Sequence, residues 1–177
     1  LTDQFLVNTY KARNTNLGYA LHEINRQVSG GQHSNELLNT ELFYSIAESI
    51  VADQAIIYEQ YSRLQFKKTE TRQSLFRQLL EAREYMDAHL SDDIHLDQII
   101  RNAFMSKYHF IRLFKATFIL SPYQYILRKR LESARVQLLG GSNVTETAFD
   151  AGYPDSSSFS KAFKAAFGVT PSSVKLK

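Results

Sequence analysis

One pattern occurs twice in this chain, and it limits what the second half can become. Residues 114–122 read F-K-A-T-F-I-L-S-P, and residues 163–171 read F-K-A-A-F-G-V-T-P. Both fit Phe-Lys-Ala-x-Phe-x-Leu/Val-Ser/Thr-Pro, with corresponding positions 49 residues apart. Self-similarity at a fixed spacing means two copies of one structural unit. Each copy needs the same local geometry, so an account of one is a test of the other.

The residues upstream of each motif define the unit. In the first copy Leu96, Ile99, Ile100 and Ala103 form a short amphipathic helix. Phe104-Met105 is a turn, and Ser106 caps a second helix that runs to about Phe118. In the second copy Val144, Thr147, Ala148 and Ala151 form the short helix, Gly152-Tyr153-Pro154-Asp155 the turn, and Ser156 to Phe167 the second helix. A short helix, a tight turn and a capped second helix follow the order of a helix-turn-helix that reads DNA. Between the copies, Ser121-Pro122 opens a helix that runs to about Leu139, where Gly140-Gly141 supply a left-handed cap. Eighteen residues at about 1.5 Å each give roughly 27 Å. Successive major-groove faces lie about 34 Å apart, so this spacer suits two readers on one side of a duplex.

The charge distribution agrees. Residues 1–93 carry nine Lys/Arg against thirteen Asp/Glu, a net of −4, whereas residues 94–177 carry twelve against five, a net of +7. A basic half beside an acidic half points to a polyanionic partner, here double-stranded DNA. Ser106, Lys107, Tyr108, His109, Ile111 and Arg112 occupy the early turns of the first reading helix, with Phe110, Leu113, Phe114 and Phe118 spaced to face a core. Arg112 suits guanine O6/N7, and Ile111 or Tyr108 a thymine methyl. Lys107 and Lys115 suit phosphates. On the second helix Ser156, Ser157, Ser158, Ser160, Lys161 and Lys164 form the open face, and Phe159, Phe163 and Phe167 the core side. The competing readings are plain solvent-facing charge for Arg112 and Lys115, and a helix-start signal for Ser156–Ser158. On the spacer, Arg128 or Arg130 is the candidate backbone clamp.

The first 93 residues read as helical. Leu17, Ala20, Leu21, Ile24 and Val28 have helical spacing, and Gly30-Gly31 opens a loop. Residues 36–66 form one long helix on Leu38, Leu42, Ile46, Ile50, Ala55, Ile57, Tyr58 and Tyr61. Thr71 caps a further helix over 72–90 with Leu75, Leu79, Ala82, Tyr85 and Met86 as its buried stripe, ended by Ser91, Asp92 and Asp93. The domain expectation is a helical region over 1–93, with residues 36–90 as a candidate homodimer surface, and a double helix-turn-helix over 94–177. The fold expectation is all-α. The chain has no cysteine, which excludes disulfides and cysteine zinc sites and fits a cytoplasmic protein. His89-L-S-D-D-I-His95 lacks a metal-ligand spacing. No catalytic or nucleotide-binding motif occurs, so no enzyme, metal or cofactor is expected. No apolar run spans a membrane. The chain begins with Leu1 rather than Met, which reads as a numbering that starts inside a longer protein.

From Leu96 to Lys177 the residues resemble the C-terminal DNA-binding domain of AraC/XylS-type transcriptional regulators. The resemblance rests on Met105-Ser106, Arg112-Leu113-Phe114-Lys115, Ser121-Pro122, Tyr125, Arg130-Leu131, Ala134 and Leu138-Leu139. It continues through Gly152-Tyr153, Ser158-Phe159-Ser160-Lys161, Phe163-Lys164 and Gly168-Val169-Thr170-Pro171-Ser172. It implies two helix-turn-helix subdomains on a long helix, seven helices in all. It also implies transcriptional control, usually activation through RNA polymerase, and base-reading positions at Tyr108, Ile111, Arg112, Ser156, Ser157, Ser160 and Lys161. Family members usually carry a separate sensor domain upstream, and residues 1–93 look like the helical segment that follows one. Three departures stand out: Phe104 in the turn, Ile100 as the counterpart of Ala148, and Ile119 where the second copy has Gly168. A β-branched residue is strained at a left-handed helix end, so the first copy is expected to end its helix differently.

Overall fold

The computed structural model describes residues 15–29, 40–90, 95–100 and 105–174. The expected loop at Gly30-Gly31, the helix positions 36–39, the ending at Ser91, Asp92 and Asp93, and Ala103-Phe104 lie outside the described residues. What is described is all-α, with eight α-helices and no strand. The chain divides into two compact units, Leu1–Gln65 and Phe66–Lys177.

The N-terminal unit contains α1 (Asn16–Ser29) and α2 (Thr40–Ser62), packed against each other. A carboxylate from α2 fastens the start of α1. Asp53 accepts from the Asn16 backbone N–H at 2.9 Å, the Asn16 side-chain amide at 2.9 Å and the Leu17 N–H at 3.0 Å. The first-turn N–H groups of a helix have no partner inside it, and a carboxylate there also suits the helix dipole. Asp53 is therefore buried on the same stripe as Ile57 and Tyr61, where a periodicity reading sees only a polar interruption. Leu21, Ala55 and Tyr58, expected on the packed stripes, are instead exposed.

The C-terminal unit contains α3 (Thr69–Ala88), α4 (Leu96–Ile100), α5 (Lys107–Phe118), α6 (Pro122–Leu139), α7 (Val144–Asp150), α8 (Ser156–Phe167) and a closing 3-10 turn at Pro171–Ser173. Helix α3 starts at Thr69 with Lys68 at the cap position, three residues before the expected cap Thr71. Its buried stripe is Phe76, Leu79, Ala82 and Met86, while Leu75 is half-buried and Tyr85 exposed. This helix packs on α4, α5 and α6, so it lies with the basic C-terminal half although the acidic stretch runs through it.

The reason is a longer repeat than the motif. Leu79, Ala82 and Met86 of α3 match Leu131, Ala134 and Leu138 of α6, each pair 52 residues apart and all six buried. The motif pairs are 49 apart. The three-residue difference is accounted for by the connections, 89–95 after α3 and 140–143 after α6. Each copy is thus three helices: α3, α4 and α5, then α6, α7 and α8. Within that alignment the counterpart of Ala148 is the buried Ile99, not Ile100.

Helix α6 serves both copies. Ser121 caps it with a complete capping box: its hydroxyl accepts from the Gln124 N–H at 3.3 Å, and the Gln124 side chain accepts from the Ser121 N–H at 3.0 Å. Its first turns pack on the first copy. The Tyr125 ring meets Phe114 edge-on at 5.7 Å, and its hydroxyl donates to Asp87 of α3 at 2.9 Å. Burial raises both the Asp87 carboxyl and the Tyr125 phenol above their ordinary ranges. The later turns of α6 supply Leu131, Ala134 and Leu138 to a core with Ala148, Ala151, Phe159 and Phe163. The helix closes with paired backbone bonds, Ser142 N–H to Gln137 O and Gly141 N–H to Leu138 O, both at 3.1 Å. Gly141 takes the left-handed turn at φ 91°, while Gly140 does not.

Candidate nucleic-acid interface

The two helices that carry the candidate contacts, α5 and α8, are built alike. In α5 the Ser106 hydroxyl accepts from the His109 N–H at 3.3 Å and fixes the start. Phe110, Leu113, Phe114 and Thr117 are buried, which turns Tyr108, Arg112 and Lys115 outward on one face. Tyr108 is 78% exposed, unusual for an aromatic side chain that nothing covers. His109 and Ile111 flank this face half-buried. Lys107 pairs with Asp97 of α4 at 3.1 Å, so its ammonium ties the short helix to the reading helix.

In α8 the cap is Asp155, a residue the sequence reading placed only in the turn. Its carboxylate accepts from the Ser158 N–H at 2.7 Å and the Ser158 hydroxyl at 2.9 Å. These bonds hold the carboxyl below its ordinary range. Ser158 therefore serves the helix start and is not on the open face. Phe159 and Phe163 are buried, which turns Ser157, Lys161 and Lys164 outward. Ser156 is half-buried, its hydroxyl 3.4 Å from that of Thr145, and Ser160 is half-buried. The outward sets correspond one to one at the 49-residue spacing: Tyr108 with Ser157, Arg112 with Lys161, Lys115 with Lys164. Arg112, Lys115, Lys161 and Lys164 are all exposed, and none has an ion-pair partner among the described residues.

The expected strain at Ile119 takes a different form. The backbone bond that ends α5 matches the one that ends α8, but the cap residues differ: Ile119 lies at ψ −33°, outside the left-handed well, and Gly168 at ψ −6°, within it. Ile119 adopts φ 70° and donates its N–H to Lys115 O at 2.9 Å. Gly168 adopts φ 75° and donates to Lys164 O at 2.8 Å. The isoleucine accepts the cost of a positive φ, and Ser121 caps α6 at the offset at which Thr170 caps the closing 3-10 turn.

Four arginines of the scaffold helices lie against other elements of the fold. The Arg83 guanidinium of α3 lies over Phe118 at 5.2 Å, and Arg135 of α6 lies over Phe167 at 5.3 Å. These are counterparts at the 52-residue spacing, each holding the last aromatic ring of a reading helix. Arg128, expected as a backbone clamp, donates to Glu132 at 3.2 Å and to the Ala166 carbonyl at 3.1 Å, and it lies over Phe167 at 5.0 Å. Those contacts brace α6 against the end of α8. The other candidate clamp, Arg130, donates from Nε to the Leu90 carbonyl at 2.8 Å. The roles of Asp53, Arg83, Arg135 and Asp155 were not read from the sequence. Only Asp155 had a local signal, an acidic residue directly before a serine-rich helix start.

His89 bonds the Tyr85 carbonyl at 2.8 Å and stacks on the Tyr85 ring at 4.1 Å. Among the described residues no cluster of three or more His, Asp or Glu is placed to hold a metal ion. No described helix is long and apolar enough to cross a membrane.

Comparison with known proteins converges on the same region. A family model described as a helix-turn-helix domain matches residues 99–176. The probable transcriptional regulator LumQ of Photobacterium leiognathi is 35% identical over 89 residues, covering 49% of this chain and 36% of that protein. The regulatory protein SoxS of Salmonella typhimurium is 29% identical over 90 residues, covering 50% of this chain and 84% of that protein. The HTH-type transcriptional activator AarP of Providencia stuartii is 28% identical over 117 residues, covering 66% and 82%. A crystal structure of a transcriptional regulator with an AraC-type DNA-binding domain from Chromobacterium violaceum superposes with a TM-score of 0.51 at 27% identity, over 54% of this chain and 87% of that one. The chain spans about a third of the length of LumQ.

Proposed function

Because residues 99–176 belong to the AraC-type helix-turn-helix regulators, we propose that this transcription regulator reads two adjacent major grooves of one duplex with α5 and α8, and that it activates transcription. The observation that carries the two-groove reading is the matched pair of outward faces, Tyr108/Arg112/Lys115 and Ser157/Lys161/Lys164. Two identical scaffolds presenting cations at equivalent positions suit two equivalent stretches of phosphate backbone. The difference between the faces assigns the roles. Arg112 and Tyr108 have the reach and chemistry for base edges, with Ile111 beside them, while Ser157 and the two lysines suit the backbone. Ser106, Lys107, His109, Ser156 and Ser160 border the contacts, and Arg128 supports α8 from behind. Activation is proposed with RNA polymerase as partner, on the precedent of AarP, a transcriptional activator.

Selection of bound duplexes from a random pool tests the reading. The expected product is a site with a well-defined half and a weaker half about one helical turn apart. Arg112→Ala is expected to weaken binding to that site by about 1–3 kcal/mol and to relax preference at one base pair. Equal loss on selected and random DNA would remove Arg112 from base reading. A reporter carrying the selected site upstream of a promoter separates activation from repression.

A second reading concerns the N-terminal unit. Tyr44, Val51 and Tyr58 of α2 are 66%, 67% and 62% exposed and seven residues apart, with Ala47 and Ala55 beside them on the same exposed side. A seven-residue apolar repeat on a helix suits a second copy of the same helix. Sedimentation at micromolar concentration is expected to show a dimer that Val51→Lys dissociates.

A further inference from the structure

We infer that Arg130 is a positioning residue that sets the angle between the two copies, by tying the end of α3 in the first to the α7–α8 turn of the second. Arg130 leaves α6 with its Nε donating to the carbonyl of Leu90, 2.8 Å away and two residues past the end of α3. The rest of its guanidinium lies over Gly152, the first residue of the turn between α7 and α8. A Cβ on Gly152 would stand 2.5 Å from Nη1, so the absence of a side chain there is what lets the guanidinium in. Gly152 also has φ 79° and donates its N–H to Phe149 O at 2.8 Å, so this backbone is the turn itself. Ser133, Gln137 and Asp150 line the same cleft.

The guanidinium is planar and rigid, so a side chain that donates to one backbone and packs against another holds the two at a set separation. The contact belongs to the joint and not to the repeated packing: 52 residues earlier, at the equivalent place on α3, stands Gln78. Helix α6 joins the copies through its axis. Rotation about that axis would change the phase between α5 and α8 without breaking either core. Arg130 spans the gap off the axis, where a contact resists that rotation. This inference rests on the two-groove reading for its consequence on DNA, since avidity across two sites requires a geometry that both can meet at once.

The chain has no cysteine, so spin labels go only where cysteines are introduced. Ala116→Cys and Ala165→Cys place one on each reading helix, at exposed and equivalent positions. The distance distribution between labels in DNA-free protein is expected to be narrow, to broaden or shift in Arg130→Met, and to recover in part in Arg130→Lys, which keeps the charge and one donor nitrogen. Thermal unfolding monitors the fold of each variant, and Arg130→Lys carries the test if Arg130→Met does not fold. On DNA, Arg130→Met is expected to weaken binding to the selected two-part site by about tenfold or more, with binding to either half alone changed less than about twofold. An unchanged distance distribution in a folded Arg130→Met variant overturns the inference, as does an equal loss on whole and half sites. If no two-part site is selected by the unsubstituted protein, the two-groove reading fails, and the distance distribution still decides whether Arg130 sets the angle.

Discussion

At the residue scale, Ile119 shows how two copies of one motif diverge under the same constraint. Both helices must end with a positive φ, and one copy meets that demand with isoleucine. Exposure of 62% leaves its side chain little packing to offset the strain. Ile119→Gly is expected to stabilise the protein by about 0.5–1 kcal/mol, the left-handed cost less the entropy glycine loses on folding, read as a shift in urea midpoint. Asp155 gives a pH signature. Its folded carboxyl titrates below its ordinary value, so its contribution is present above the unfolded pKa of about 3.9 and is lost as pH falls through the folded value. Asp155→Asn keeps a cap acceptor without the charge. Thermal melts of that variant between neutral pH and pH 3 are expected to show a smaller acid loss than the parent.

At the element scale, the boundaries of α5, α6 and α8 were legible because their starts and stops are local chemistry: Ser106, Ser121-Pro122, Gly140-Gly141 and Gly168 act within one turn of where they stand. Helix α3 was legible as a helix but not as a member of the first copy. Its likeness to α6 lies in three buried positions shifted by the longer connection, and Phe76, not Tyr85, completes the stripe. Nothing within the window of α3 says which neighbour it will face. The outward faces were legible as residue types, but only burial separated Ser157 from Ser158, and only its contacts with Glu132, Ala166 and Phe167 separated Arg128 from Arg112. The arginine clamps were invisible for the same reason, since each joins residues that are distant in sequence. Arg83→Met and Arg135→Met are each expected to cost about 0.5–1 kcal/mol. Hydrogen exchange should localise each loss to the last turn of its own reading helix, α5 or α8.

At the scale of the whole molecule, the division between Gln65 and Phe66 predicts that residues 66–177 expressed alone fold cooperatively, with α3 required. Starting the fragment at residue 94 removes the first helix of the first copy and exposes the apolar faces of α4 and α5 that α3 covers. It is expected to lose the cooperative melt or to aggregate. Far-UV circular dichroism with heating compares the two fragments directly. Where the scaffold cations are engaged also sets the salt dependence of DNA binding. Twelve Lys/Arg residues in 94–177 would, if all met phosphates, make the logarithm of the binding constant fall with the logarithm of salt concentration at a slope of about −11. Arg128, Arg130 and Arg135 are turned onto carbonyls and rings, Lys129 pairs with Glu132 and Lys107 with Asp97. Of the other seven, Arg112, Lys115, Lys161 and Lys164 face outward and Arg101, Lys175 and Lys177 lie outside the described residues, so the measured slope is expected between about −4 and −6.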